Sequence, residues 1–335
     1  MNFKRFYAVL VARNIEFVRD RGALAWSLLF PVFMIVGLYF VFNEQKSLYT
    51  VGTLGSQQVN VVSLFGLEEA LVDVVPIDDL EDAKRRLGRH ALDALIDSES
   101  GQYWLNPLAP EGQVIDRLLH ATGAADGWQR AEISGEALRY VDWALPGILS
   151  MNMMFAALFG IGYVIVRYRK TGMLKRMMAT PVTAVEFLGA QLASRLIVMV
   201  VINTFLLVGL WFLLDFRLEG SALLLALVFL LGATALISIG LLVASRIANE
   251  ELANGLLNAA TWPMMMLSEV WFSMENASPW LQNLSLLFPL THMTKSARAI
   301  MLDGAGFIDI LPSLLYLMLI ALVFLVLGAK MFRWE

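Results

Sequence analysis

The chain has 335 residues, 58% of them hydrophobic and only 16% charged, with a mean hydropathy of +0.66. Ordinary globular domains carry about 25% charged residues, so a soluble enzyme is excluded. The net charge of −4 conceals an asymmetry, because residues 43–142 hold 8 Lys/Arg against 17 Asp/Glu and leave the remainder basic. The positive charges flank apolar blocks without forming one patch, which excludes a nucleic-acid groove. The absence of cysteine excludes disulfides, thiolate metal sites and cysteine nucleophiles.

Residues 1–22 form the first segment. On a helical wheel Phe3, Phe6, Tyr7, Leu10, Phe17 and Val18 share one side, and Arg5, Arg13, Glu16, Arg19 and Asp20 the other. This arrangement predicts an amphipathic helix in the cytoplasmic interface; a helix packed on a partner protein is the alternative. Residues 23–42 are then free of charge and predict a first membrane span. No small-residue cleavage site follows Phe42, so the span reads as an uncleaved anchor.

The acidic segment 43–143 is long enough to fold alone. Val-rich stretches at 51–54, 60–64 and 72–77 predict short strands, and 91–96 and 102–105 predict two more. Residues 80–89 predict a helix capped by Asp78 or Asp79, and 112–121 a second helix. Residues 135–142 are expected to lead helically into the next span. The sum is a small α/β domain.

Charge-free stretches at 145–166, 196–214, 221–245, 252–268 and 310–329 complete a set of six candidate spans. A hydrocarbon core of about 30 Å needs about 20 helical residues, and only 252–268 falls short. Basic residues gather before Ala23, between spans two and three, and in the tail at Lys330 and Arg333. Under the positive-inside rule both termini are cytoplasmic and the acidic domain is extracytoplasmic. The predicted fold is therefore an α-helical polytopic membrane protein, with six transmembrane helices and a small α/β extracytoplasmic domain between spans one and two. Residues 144–335 form a five-helix transmembrane domain. Within it, 269–309 carries Trp271, Phe272, Trp280 and Phe288 with helix-breaking Pro279 and Pro289, which predicts short re-entrant helices in the outer leaflet.

Catalytic signatures are missing. There is no G-x-x-x-x-G-K-[ST] and no H-E-x-x-H; Ser98, Ser100 and Ser134 lack a nucleophile-elbow context. His90, His120 and His292 are too scattered for a metal site. The interiors of the spans hold amides and hydroxyls such as Asn203, Thr204, Asn254, Asn258 and Thr261, but almost no ionisable groups. An ion-coupled carrier normally needs such groups, so any transport energy comes from another subunit. Asn203, Asn258 and the outer carboxylate Glu269 are the candidate pathway residues. Helix–helix hydrogen bonding, and a headgroup-level carboxylate, are the competing readings.

Residues 167–187 are the most informative cytoplasmic segment. Met173, Leu174, Met177 and Met178 fall on one helical face, opposite Arg169, Lys175 and Arg176, and Thr180-Pro181 ends the helix. An exposed Met-rich face is adaptable and suits a protein partner; a basic loop resting on lipid headgroups is the alternative. Gly172 is expected to allow close backbone approach at the helix start.

The chain resembles the type-2 ATP-binding-cassette (ABC-2) permeases, in the branch with a larger ectodomain. The resemblance rests on Leu145-Pro146-Gly147, then Arg169, Gly172, Leu174, Arg176, Ala179-Thr180-Pro181 and Glu186-Phe187. It continues in Pro279-Trp280-Leu281, Phe288-Pro289-Leu290 and Arg298. It implies an elbow helix at 1–22 and a coupling segment in which Arg169, Gly172, Met173, Leu174, Arg176, Met177, Thr180 and Pro181 meet a separate cytoplasmic ABC ATPase. It implies a homodimer or heterodimer of permeases in the bacterial inner membrane, surrounded by lipid. No cofactor belongs to this chain, since ATP and magnesium would bind the partner ATPase. The expected function is export of a hydrophobic or amphiphilic cargo: drug, lipid or glycan-like. The family's Ser-Gly-type turn before the outer helices is replaced here by Ser268-Glu269-Val270. The competing function is a membrane-anchored sensor or assembly factor, for which one or two spans would suffice.

The topology has a direct test. Reporter fusions at Gln45 and Gln113 are expected to signal outside, and fusions at Arg176 and the C-terminus inside; an outside signal at Arg176 overturns the arrangement.

Overall fold

The structure, a computed structural model, describes residues 2–42, 49–54, 72–89, 92–97, 100–123, 127–135, 139–214, 216, 218–274, 277–332 and 334. It divides into two compact units, residues 41–140 and the remainder. The strand expected at 60–64 lies outside the described residues.

In the smaller unit, β1 (Tyr49–Leu54), β2 (Val72–Ile77), β3 (Ala94–Asp97), β4 (Gln102–Leu105) and β5 (Gln129–Glu132) form one sheet in the order β2-β1-β3-β4-β5. Only the β3–β4 pairing is antiparallel, with Leu95 opposite Trp104. Period-2 alternation sends Val51, Ala94, Ile96, Tyr103 and Leu105 to one face. Leu54, Ile77, Leu95 and Trp104 go to the other. Both faces are covered. The helix α3 (Leu80–Gly88) supplies Ala83 and Leu87 to one, and α4 (Pro110–Ala121) supplies Ile115 and Leu119 to the other.

Local chemistry sets the helix ends. The Asp79 side chain accepts from the Glu81 amide at 3.0 Å and caps α3, and Pro110 opens α4 at its first turn. Strand β5 has no counterpart in the sequence pattern: Gln-Arg-Ala-Glu is an exposed, polar edge that shows no hydrophobic alternation. The expected helical lead-in at 135–142 also differs. Gly135 is not helical and its carbonyl accepts from the buried Asn106 side chain at 2.8 Å; residues 136–138 lie outside the described residues, and the described helix begins at Tyr140.

The larger unit is helical: α1 (Phe3–Arg19), α2 (Arg21–Phe42), then α5, a continuous helix from Tyr140 to Lys170 with a π-helical stretch at Leu158–Tyr163. There follow α6 (Met173–Met178), α7 (Ala184–Leu214), α8 (Ala222–Ala244), α9 (Glu250–Leu267), α10 (Pro279–Ser285), α11 (Pro289–Asp303) and α12 (Phe307–Met331). Among the described residues five helices are long and apolar enough to cross a membrane: those at Arg21–Leu38, Tyr140–Lys170, Ala184–Leu213, Ala222–Ala244 and Phe307–Met331. Helix α9 has 18 residues but carries Glu250, Glu251, Asn254 and Asn258, and it is not among them.

Helix α5 is the hub. Its most apolar window is 72% buried within the chain, whereas that of α2 is 11% buried. Pro279 and Pro289 divide this segment into separate helices, as expected; each occupies the first turn of a new one, where the missing amide costs nothing.

Helix α1 also departs from its wheel. Phe3, Tyr7 and Val18 are exposed, whereas Arg13 turns inward with its side chain 10% exposed. Arg13 donates to the Tyr168 hydroxyl and to Gly160 O, each at 3.1 Å.

Asp82 on α3 offers a pH test. Burial alone would raise its carboxyl, but the Arg85 and Arg86 guanidinium groups outweigh this and hold it below the ordinary value. Residues 41–140, expressed alone, are expected to give a mixed α/β circular dichroism spectrum and a cooperative melt. Asp82→Asn is expected to melt lower than the parent at pH 7. A depressed folded pKa contributes stability only above the unfolded carboxylate value of about 4. The gap therefore narrows below that pH and closes beneath the folded value; a gap independent of pH refutes the ion-pair account.

Candidate functional site

Chain geometry first shapes the segment between α5 and α7. Helix α5 ends at Lys170, and Gly172 follows at φ +70°, a conformation that penalises every side chain with a Cβ. A Cβ at Gly172 would meet nothing within 4 Å. The glycine thus serves the turn's backbone angle, which corrects the expectation of close approach. The short α6 then runs to Met178. The Thr180 hydroxyl donates to Met177 O at 2.6 Å, and the Pro181 carbonyl accepts from Arg5.

The eight coupling candidates occupy different environments. Arg169 is buried: Nη1 donates to Ala244 O at 2.9 Å and to Ile247 O, and Nη2 to Ser245 O at 3.1 Å. These are the carbonyls at the C-terminal end of α8, where a helix leaves acceptors unsatisfied and carries partial negative charge. Arg169 therefore binds α5 to α8 and is not part of an exposed basic arc. Leu174 is fully buried, so the exposed apolar face expected at Met173, Leu174, Met177 and Met178 divides. Leu174 packs within the chain, Met177 is half-buried, and Met173 and Met178 stand exposed with Lys175 and Arg176.

Sequence reasoning gave Glu186 no role beyond the family resemblance. Its carboxylate accepts from the Thr183 amide at 3.0 Å while the Thr183 hydroxyl accepts from the Glu186 amide, which is a capping box at the start of α7. The same carboxylate accepts from the Asn2 amide and anchors the N-terminal end of α1. The T-x-x-E signature at 183–186 was a usable signal.

The pathway candidates are not brought together. Asn203 is buried on α7, donating to Met199 O at 3.0 Å, and it lines an apolar groove of about 500 Å³ between α7 and α8. Asn258 lies on α9 and donates to Asn254 O at 2.9 Å. Neither Asn258 nor Glu269 lines the groove beside Asn203.

Glu269 sits at φ +55°, the single non-glycine residue with positive φ among the described residues. Its carboxylate meets Arg298 Nη1 and Lys295 Nζ at 3.1 Å each, and its carbonyl accepts from Arg298 Nη2 at 2.6 Å. The Arg298 guanidinium also lies 3.9 Å from the Trp143 ring centroid. A Cβ on Gly147 would come 2.9 Å from Val270 O, so the Leu145-Pro146-Gly147 motif seats this turn against α5. A left-handed residue favours glycine; here the ion pairs hold a glutamate in that conformation. Glu269 is 8% exposed and its carboxylate is enclosed by protein cations. Among the described residues no cluster of His, Cys, Asp or Glu is arranged to hold a metal ion.

Two variants separate burial from surface roles. Glu269→Gln removes the buried carboxylate that meets Arg298 Nη1 and Lys295 Nζ and is expected to lose about 3–5 kcal/mol in equilibrium unfolding. Lys295→Gln, at the solvent side of the cluster, should lose less than about 1 kcal/mol. Equal losses would refute the buried pairing. Leu174→Asp is expected to abolish folding, because a carboxylate without a partner costs several kcal/mol where Leu174 lies.

Residues 90–302 match the family described as ABC-2 type transporter. "Inner membrane transport permease YhhJ" of Escherichia coli (strain K12) is 29% identical over 183 residues, covering 54% of this chain and 49% of that protein. "Probable multidrug ABC transporter permease YbhR" of the same strain is 24% identical over 184 residues, covering 55% and 50%. The chain thus spans about half the length of the curated relatives it matches. The family match covers well over half of the 335 residues and runs from the α/β unit through the segment after Gly172 to the Arg298 cluster: the chain belongs to the ABC-2 type transporter family, as a multi-pass membrane permease.

Proposed function

We propose that the chain is the membrane subunit of an ABC exporter, driven by a separate cytoplasmic ATPase and moving a hydrophobic or amphiphilic cargo. One observation carries the reading. Exposed Met173, Lys175, Arg176 and Met178 project on a short helix whose root is fixed by Arg169 to the end of α8 and by Lys170 to Glu250 at 2.8 Å. A surface patch joined so firmly to two other helices is suited to transmit a push. Adaptable methionines beside two cations suit an acidic, apolar-lined cleft on a partner.

In this reading α9 supplies a sixth crossing, both termini are cytoplasmic, and the α/β unit is extracytoplasmic. Helix α9 exposes Leu252, Asn254, Leu256 and Trp262, a mixed surface that lipid alone would not favour. A second permease copy, with the pathway between the two, covers such a face. YhhJ is named an inner membrane permease and YbhR a probable multidrug permease; an apolar, charge-poor route fits that kind of cargo better than an ion.

Met178→Asp places a charge on the exposed end of the patch. It is expected to leave unfolding within about 0.5 kcal/mol of the parent while reducing co-purification with the cognate ATPase at least about tenfold. Arg176→Lys keeps the charge but loses the planar fork, so an intermediate loss marks a bidentate contact. Full ATPase association and transport by Met178→Asp would move the coupling contact away from this helix.

A further inference from the structure

A groove of about 630 Å³ opens between α1, the start of α2, the middle of α5 and α7, and both charged and aromatic side chains line it. Arg13, Glu16, Asp20, Arg167 and Arg195 supply the charges. Trp26 stacks with Phe30 at 5.4 Å, and Phe155 with Phe159 at 6.1 Å. Trp26 and Phe30 follow Asp20 along the chain by roughly 9–15 Å of helix, so these two rings lie further along α2 than Asp20.

Arg195 is the unusual group. It lies within a membrane-spanning helix and is 9% exposed. Its Nε donates to Ala156 O at 2.6 Å, and its guanidinium lies 5.3 Å from the Phe17 ring centroid. Neither contact carries negative charge of its own, and among the described residues no carboxylate lies within ion-pair distance. The guanidinium presses on the backbone of Gly160, whose carbonyl accepts from Arg13 at 3.1 Å. A second cation is thus its close neighbour, and the Arg13 charge is already answered by Glu16 at 2.8 Å. Gly160 belongs to the π-helical stretch, a wide turn that frees a carbonyl for such a contact. A buried cation without a counter-ion is strongly disfavoured in a membrane, and here it lines an open groove.

We propose that this groove binds an anionic membrane phospholipid, with its phosphate on Arg195 and its first acyl carbons on the Trp26–Phe30 and Phe155–Phe159 rings. The volume suits a headgroup with the adjoining chain segments. One wall of the groove is α1, whose Phe3, Tyr7 and Val18 are exposed as they would be in an interface. A lipid held there ties the amphipathic helix to α5 and α7 and completes the charge balance at Arg195. The proposal needs membrane placement alone; cargo and ATPase do not enter it.

The test uses the full-length protein, purified in neutral detergent, delipidated and followed by native mass spectrometry and thermal unfolding. Phosphatidylglycerol is expected to be retained about tenfold better than phosphatidylcholine, as for one charge-assisted contact, and to raise the melting temperature. Arg195→Gln should lose that preference while still taking up phosphatidylcholine. Trp26→Ser, at a largely exposed side chain, should fold and bind phosphatidylglycerol several-fold more weakly. Equal retention of the two lipids by the parent overturns the proposal, as does unchanged preference in Arg195→Gln. Stabilisation by inorganic phosphate alone, equal to that by the lipid, identifies a free-anion site and also overturns it. Should Arg195→Gln fail to fold, Trp26→Ser decides: unaltered phosphatidylglycerol retention refutes the proposal.

Discussion

Lipid hydrocarbon is as apolar as leucine, so membrane helices gain little by burying leucine against one another. Their association must come from close packing and polar ties, and in this chain those ties converge on one helix, α5. At one end Trp143 lies under the Arg298 guanidinium and Gly147 admits Val270. In the middle Ala156 accepts from Arg195 and Gly160 from Arg13. At the other end the Tyr168 hydroxyl engages Glu16, Arg169 binds the end of α8, and Lys170 reaches Glu250. Removing α5 would leave the other helices with few directional contacts.

That arrangement bears on motion. A helix with so many fixed partners is suited to act as a lever, with one break where its hydrogen bonding changes register. The π-helical stretch at Leu158–Tyr163 is such a place, and two arginines from different helices hold it. In the proposed permease reading, a push on the short helix after Gly172 enters α5 below this point. It also enters α8 and α9 through Arg169 and Lys170. The outer cluster of Glu269, Lys295 and Arg298 then marks the opposite end of the same lever.

Glu269 shows how local strain and charge offset each other. A non-glycine residue at positive φ costs roughly 1 kcal/mol or more, which a glycine would avoid. The carboxylate compensates by answering two cations, one of them almost enclosed. Where the family resemblance predicts a Ser-Gly turn, the glutamate changes the chemistry, so the N-terminal end of α5 is joined to α11 by charge as well as by packing.

Much of the local architecture was legible in the sequence. Charge-free runs located the five long apolar helices, because a bilayer core admits little else. The Val-rich stretch at 72–77 and the short run at 102–105 marked two strands with the bounds they have, and the Asp78-Asp79 pair announced the start of α3, which Asp79 caps. Facing was not legible. Amphipathic periodicity reports avoidance of water, and beside lipid both the outward and the inward faces of a helix are apolar. The pattern therefore could not show that Arg13 turns inward, that Leu174 is enclosed while Met178 is not, or that Arg169 serves a helix end 75 residues away. Edge strand β5 stayed hidden because backbone pairing alone holds it. The conformation of Glu269 stayed hidden because its cause, the Arg298 and Lys295 charges, lies on another helix. Composition and hydropathy determined that this chain lives in a membrane and where its helices run; contacts between distant residues alone decided which side chains face protein, which face lipid, and which are left to meet a partner.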